Sequence, residues 1–305
     1  MNRDERIAEL ARRIRAHTPT DGRFGTSIDG VDLFRASEPS PIRCVIYHPC
    51  VIIVAQGSKT GSVGGEIFKY SPARYLVLPV SLPIDAQIVH ASQRTPFLSF
   101  SVRVDPSTVA DILAETMPAD APAPQAVRGI AVSETTEELL DAAGRLLACL
   151  DSEADARVLA PQIRRELLYR VLQGPQGGLL RGVGTRDARL NQVSRALQLI
   201  HAEYGRALDV AELARAAHMS PSTFFDAFRA VTSHSPLQYL KEVRLTRARQ
   251  IMIWEGASAK RAAAEVGYRS ATQFSREFKR RFGRPPAQER AWAIETGESA
   301  SARPY

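Results

Sequence analysis

Phe224, Phe228 and Val231 step along the chain by four and by three, so a helix through them would put all three on one face. Ser222, Thr223, Phe225, Asp226 and Arg229 then lie on the other face. Phe274 and Phe278 repeat the step, leaving Ala271, Thr272, Ser275, Arg276 and Lys279 facing away. On such outward faces Arg can hold guanine bidentately, and Thr can present its methyl or hydroxyl to a base edge. A carboxylate such as Asp226 can accept from cytosine N4, although phosphate repels it. Phe225 can make only apolar contact, or can pack inward beside Phe224.

The elements that would position these faces form a tandem repeat at a shift of about fifty residues, a period that marks repeated architecture. Ala214 falls on Ala264, Ser220 on Ser270, Phe224 on Phe274, Phe228 on Phe278, Arg229 on Lys279 and Pro236 on Pro286. In each copy an Ala-rich helix runs into a tight turn and then a helix with a Ser N-cap, the order of a helix-turn-helix. Leu213, Ala214 and Ala217 are the packing residues of the first copy, and Ala263, Ala264 and Val266 those of the second. His218 and Met219 make the first turn, and Gly267 the second. Leu237 to Glu255 reads as an amphipathic helix charged by Lys241, Arg244, Arg247 and Arg249. At 1.5 Å per residue it would span about 28 Å. That is close to the roughly 34 Å between major grooves on one face of B-DNA. A small helical domain with solvated basic faces is the alternative, and the pairing of two units argues against it.

Leu208 to Ala214, Met219 to Phe224, Ser235 to Leu240, and Val266-Gly267-Tyr268 through Gln273 to Pro286 resemble the DNA-binding domain of AraC/XylS-type transcription regulators. Val54 to Lys59, Tyr75 to Val80, Leu82-Pro83, Arg165 to Arg170 and Gly174 to Gly177 resemble an N-terminal domain found in one branch of that family. The resemblance implies base contacts from Ser222, Phe225 and Asp226 in the first unit and from Ala271, Thr272 and Arg276 in the second. It implies double-stranded promoter DNA, RNA polymerase, a small-molecule effector and a second copy of the chain as partners. Arg229, Arg244, Arg247, Lys279, Arg280 and Arg281 are the expected phosphate contacts.

Charge is unevenly placed. From Asp187 onward 19 Lys and Arg stand against 12 Asp and Glu, while 21 stand against 21 before it. The net +7 therefore sits on the repeat domain, which suits a polyanion. No apolar run is long enough for a membrane span, and acidic residues near the N-terminus are unlike a secretory signal. Three cysteines suit a reducing cytoplasm better than a disulfide framework.

Upstream of the repeats the pattern is β. Cys44–Tyr47, Val51–Ala55, Glu66–Tyr70, Tyr75–Pro79, Ala86–His90 and Phe97–Val104 alternate or are β-rich, with Gly, Ser and Pro between them. That spacing favours a barrel or sandwich. The resemblance implies a cupin-like double-sheet roll, hence an α+β chain of two domains. Tyr47, His48, Val54, Tyr75 and His90 are the expected contacts of a small, largely uncharged effector inside it. His48 and His90 stand alone, so no metal or other cofactor is expected. Nor does any spacing suggest a catalytic triad or phosphate loop. Cys44 and Cys50 are buried apolar groups or, if exposed with a depressed pKa, a thiol switch.

Domain bounds follow: residues 1–172 for sensing and dimerisation, 173–187 a Gly-rich flexible linker, 188–292 the DNA-binding domain and 293–305 a disordered tail. Met117–Pro124 reads as a Pro/Ala linker. The apolar stripes of Glu134–Leu150 and Pro161–Leu172 suit either core packing or the family's dimer contact. The expected function is sequence-specific transcription regulation, activation included, without enzymatic activity. A regulator whose first domain only dimerises, and a cupin-type metalloenzyme with a DNA-binding tail, are the alternatives.

Overall fold

A computed structural model describes residues 2–117, 129–185 and 189–295. Helix α1 (Arg3–Ala16) opens the chain behind a capping box in which Asn2 and Glu5 satisfy each other's backbone N–H. Ten strands follow: β1 (Gly22–Gly25), β2 (Val31–Ala36), β3 (Arg43–Tyr47), β4 (Cys50–Gln56), β5 (Ser58–Val63), β6 (Glu66–Tyr70), β7 (Arg74–Leu78), β8 (Leu82–His90), β9 (Phe97–Arg103) and, after helix α2 (Pro106–Thr116), β10 (Ala131–Glu134). They make a six-stranded sheet, ordered β1-β2-β9-β4-β7-β10, and a four-stranded sheet, ordered β3-β8-β5-β6. Every pairing is antiparallel. The double-sheet expectation holds. Sequence alternation does not disclose β5, whose Gly61 interrupts a polar run, nor the short β1, β2 and β10.

Register assigns the faces, because paired residues share one side of a sheet. Phe34 pairs with Ser99 and Ser99 with Val54, so these three share a face. Leu33, Ile53, Tyr75 and Phe100 share the other, on which α1 packs. Helices α3 (Glu137–Ala148), α4 (Glu153–Val158), α5 (Ala160–Gln173) and α6 (Gly177–Gly184) extend that outer layer.

One alternative is decided here and one expectation changes. Leu139, Ala143 and Leu146 of α3 and Leu167, Leu168 and Val171 of α5 are fully buried within the chain, so their stripes are core and not a free dimer seam. The 173–187 stretch is not a flexible tether throughout, because α6 buries Leu179, Leu180 and Val183 against α2 and α7. Two glycines in that helix permit the approach: Gly182 and Gly184 meet Leu190 and Val109 where a Cβ would stand. Most of the Pro/Ala stretch at 118–124, residues 186–188 and the tail from 296 lie outside the described residues.

The repeat domain comprises α7 (Arg189–Glu203), α8 (Val210–Ala216), α9 (Pro221–Thr232), α10 (Pro236–Trp254), α11 (Ala259–Glu265), α12 (Ala271–Phe282) and α13 (Pro286–Glu295). Helix α10 also packs on β3 and β8, so the domain sits against the outer face of the four-stranded sheet. This explains why α10 is not amphipathic as expected. Tyr239, Val243, Leu245, Thr246 and Ala248 are buried on several sides of it.

Candidate nucleic-acid interface

The first unit is built on short-range signals. Asp209 caps α8 through the Glu212 N–H, and Ser220 caps α9 through the Thr223 N–H, with Pro221 at the first helical position. Between them Met219 N–H donates to Ala214 O at 3.0 Å while His218 takes a left-handed φ of 54°. The Phe224 and Phe228 rings meet tilted at 5.3 Å, and Phe228 meets Tyr239 of α10 edge-on at 5.5 Å. Ser222, Phe225, Asp226 and Arg229 are exposed. Phe225 is 39% exposed, so it does not pack inward beside Phe224.

The second unit repeats this with one change of register. Ser258 caps α11 and Ser270 caps α12, while Asp209 and Ser220 cap the matching helices. The first helices thus correspond at a shift of 49 and the second at 50, because the second turn is one residue longer. Tyr268 N–H donates to Ala263 O at 2.9 Å, as Met219 does to Ala214 O. Ala214 therefore matches Ala263, not Ala264. Ala262, Ala263 and Val266 are buried, whereas Ala264 is exposed. Gly267, at φ 85°, lies where a Cβ would meet the Gly205 carbonyl oxygen at 2.3 Å, so only Gly fits. Ala271, Thr272, Arg276, Lys279 and Arg280 are exposed on α12.

Three of the expected phosphate contacts are engaged elsewhere. Arg244 donates to the carbonyl oxygens of Tyr204 and Arg206, each at 2.7 Å, and so ties α10 to the end of α7. Burial lowers its pKa. Arg247 lies over the Tyr204 ring and donates to Gln250. Arg281 donates to Glu242 at 2.5 Å and also to Asp85 of β8, which joins the second unit to the sheet domain. Arg249, expected on a charged outer face, is buried and paired with fully buried Glu289 at 2.6 Å. All but Arg281 lie on α10, which neighbours enclose on several sides, and sequence charge does not disclose that. Arg229, Lys279 and Arg280 remain exposed. A cleft of about 650 Å³ lies between the units, lined among others by Leu237, Lys241, Arg269 and Gln273.

The expected effector contacts divide. Tyr47 is fully buried and its hydroxyl accepts from Lys59 Nζ between the sheets, and Val54 shares the inner face of the opposite sheet. Tyr75 is on the outer face, near Gly174. His90 is exposed at a strand end, bonded to Ser58. His48 points toward the repeat domain, near Ser81 and 5.8 Å from the His201 ring. Tyr75, His90 and His48 are therefore not brought together with Tyr47 and Val54. Lys59, absent from the expected contacts, lies with Tyr47. Its place in strand alternation was the available signal.

Cys44 and Cys50 are buried free thiols. Burial raises the Cys44 pKa and pushes that of Cys50 up to about 12, which keeps both protonated and unreactive. Among the described residues no cluster of three His, Cys, Asp or Glu is placed to hold a metal. No described helix is long and apolar enough to cross a membrane.

Known proteins share both halves. The family model described as the AraC-type transcriptional regulator N-terminus matches residues 27–179, and a helix-turn-helix domain model matches residues 213–291. The HTH-type transcriptional regulator AlkR of Acinetobacter baylyi is 37% identical over 95 residues, 31% of either chain. ExsA of Pseudomonas aeruginosa is 29% identical over 145 residues, 48% of either chain. The matched part thus spans less than two thirds of these relatives. Wild-type ToxT from Vibrio cholerae, solved with a bound unsaturated fatty acid, superposes with a TM-score of 0.56 at 10% identity, over 85% of this chain and 93% of that one, which shows a shared fold.

Proposed function

The chain belongs to the AraC-type transcriptional regulators, and from that premise we propose that it binds double-stranded DNA sequence-specifically and regulates transcription under control of a small molecule. The observation that carries this is the pair of capped helices α9 and α12, each with an exposed polar face, joined by the nineteen-residue α10. Thr272 and Arg276 supply the second unit's base contacts, Arg276 to guanine. Ser222, Phe225 and Asp226 supply a weaker readout from the first unit, and Ala271 completes the second. Arg229, Lys279 and Arg280 hold phosphates.

The effector is taken up by the two-sheet domain. The fatty acid bound to ToxT supports small-molecule control in this fold. A second copy of the chain and RNA polymerase complete the partners. Val158 and Leu159, exposed at 61% and 45% on the helical layer, support self-association there. The reading assigns the chain no chemical reaction.

Genome-wide footprinting of the protein tests it. Discrete sites with paired recognition elements about one helical turn apart are expected, and uniform, sequence-independent occupancy would refute it.

A further inference from the structure

Lys59 is a basic residue buried between the sheets. Its side chain is 6% exposed overall, and Nζ lies 2.6 Å from the Tyr47 hydroxyl. The ring centroids of Phe34 and Tyr47 stand 5.4 and 5.3 Å from it, and Phe34 belongs to the opposite sheet. The ammonium has therefore crossed the inter-sheet space. Among the described residues it has no ion pair. Asp32, on the same face as Phe34, is closed by Arg23 at 2.6 Å.

Register adds the surroundings. Lys59 pairs with Tyr70, so both face inward, and Arg43 pairs with Ala86 on that same inner face. The Tyr70 hydroxyl is buried and faces the Tyr47 hydroxyl, without a hydrogen bond of good geometry. The Ser99 hydroxyl, on the inner face of the opposite sheet beside Phe34 and Val54, is buried with no hydrogen-bond partner. An interior that has only to pack does not leave one hydroxyl unsatisfied and another poorly satisfied near a buried amine without a counter-ion. Burial first, then the Arg43 charge, lowers the Lys59 pKa to about 7, so an anion arriving there would be needed to hold the full charge. The inner face is also reachable: Phe34, Val45 and Phe68 face inward yet are only half-buried, while their strand neighbours Leu33, Ile46 and Tyr70 are buried.

We propose that the space around Lys59 binds a compact organic monocarboxylate, its carboxylate on the Lys59 ammonium and the Tyr70 and Ser99 hydroxyls and its apolar body against Phe34 and Val54. This rests on the effector reading above and replaces the uncharged ligand that the domain's zero net charge suggests. The positive groups here are local, and distant acidic residues cancel them in the sum.

Calorimetric titration of the full chain with benzoate and hexanoate, each against its neutral amide, tests it. Wild-type protein should bind at least one carboxylate about tenfold to a hundredfold more tightly than its amide. The better of the two acids tells a ring from a chain. Lys59→Met, of similar length and apolar, should abolish the difference. Equal affinity for acid and amide, no carboxylate binding to wild-type protein, or selectivity surviving in Lys59→Met overturns the site. Should Lys59→Met fail to fold by circular dichroism, Ser99→Ala serves instead, with a smaller but measurable loss of selectivity expected and an unchanged ratio counting against. The two levels separate cleanly. Carboxylate binding that leaves footprints unchanged removes effector control and keeps the site. Footprints that respond to a neutral compound, with no carboxylate bound, keep the regulator and remove the site.

Discussion

The two helix-turn-helix units share a pattern but not a core. Leu213, Phe224 and Phe228 of the first belong to the same continuous hydrophobic cluster as the sheets. Ala262, Phe274 and Phe278 of the second form a smaller cluster with Leu245, Ala248, Ile251 and Met252 of α10. The first unit is fused to the sheet domain: Gly129 N–H donates to Val231 O, Tyr239 donates to Ser81 O, and a Cβ on Gly64 would strike Ser233. The second is joined to the sheets through α10 and Arg281. The readout faces differ in the opposite sense, since Thr272 and Arg276 have the stronger base chemistry and Phe225 and Asp226 the weaker. The unit packed into the sheet domain's core thus has the side chains less suited to base readout, and the one with its own small core has those better suited to it.

The difference breaks first at the aromatic cores. Phe228→Ala should cost about 3–5 kcal/mol and lower the main thermal transition, because its cluster runs into the sheets. Phe278→Ala should instead open the second unit by itself, seen as hydrogen exchange confined to α11 to α13 with the sheets still protected. Coincident loss of both regions in Phe278→Ala would show a single core.

Glu289 is next. It is fully buried against Arg249, so Glu289→Ala leaves a buried guanidinium without its carboxylate, at about 3–5 kcal/mol. Denaturant titration should place that loss in the second unit as well.

Readout follows. Arg276→Ala should cost about 1–3 kcal/mol of specific affinity and relax one base position, while Asp226→Ala costs less. A binding-site selection in which Asp226→Ala is the more damaging would reverse the roles. Arg280→Ala should weaken all sequences alike and lower the salt slope by about 1. Arg281→Ala should leave that slope in place, because its guanidinium is held by Asp85 and Glu242.

The last effect appears only on acidification, at the join of the first unit with the sheets. Tyr239 donates its one hydroxyl proton to Ser81 O, so His201 donates to Tyr239 through Nε2. Burial, then the His48 and Arg247 charges, depresses its pKa from 6.5 to about 3. The unfolded chain binds the proton first, so this contribution to stability is whole above about pH 6.5 and is lost as pH falls toward 3. Denaturation midpoints measured across that window should fall less steeply in His201→Gln than in the wild-type protein.

Much of this was legible beforehand because its causes are local. Ser220 and Ser270 cap, Pro221 starts a helix, and the Phe-x-x-x-Phe spacing fixes which face is buried and which is free. The residues left outside by that spacing, Ser222, Phe225, Asp226, Ala271, Thr272 and Arg276, are exposed. β-Rich runs between glycines likewise announced a sheet domain. Even here a one-residue longer turn moved Ala264 out of the packing face, since loop length shifts register without changing composition.

What the sequence determined by itself was therefore the class of each element, the repeat and the excess charge. What only the tertiary structure decided was where each charge and each polar side chain goes. Arg244, Arg247, Arg249 and Arg281 are indistinguishable from Arg280 as letters. Packing of α10 against the four-stranded sheet and its neighbouring helices turns Arg244, Arg247 and Arg249 to carbonyls, a ring and a carboxylate, and Glu242 of α10 with Asp85 of β8 holds Arg281 of α12, while Arg280 stays in water. Lys59 is the same lesson in the other domain. The facing sheet across the gap, more than the strand that carries it, makes it a buried amine, and packing between distant segments is not written in local periodicity.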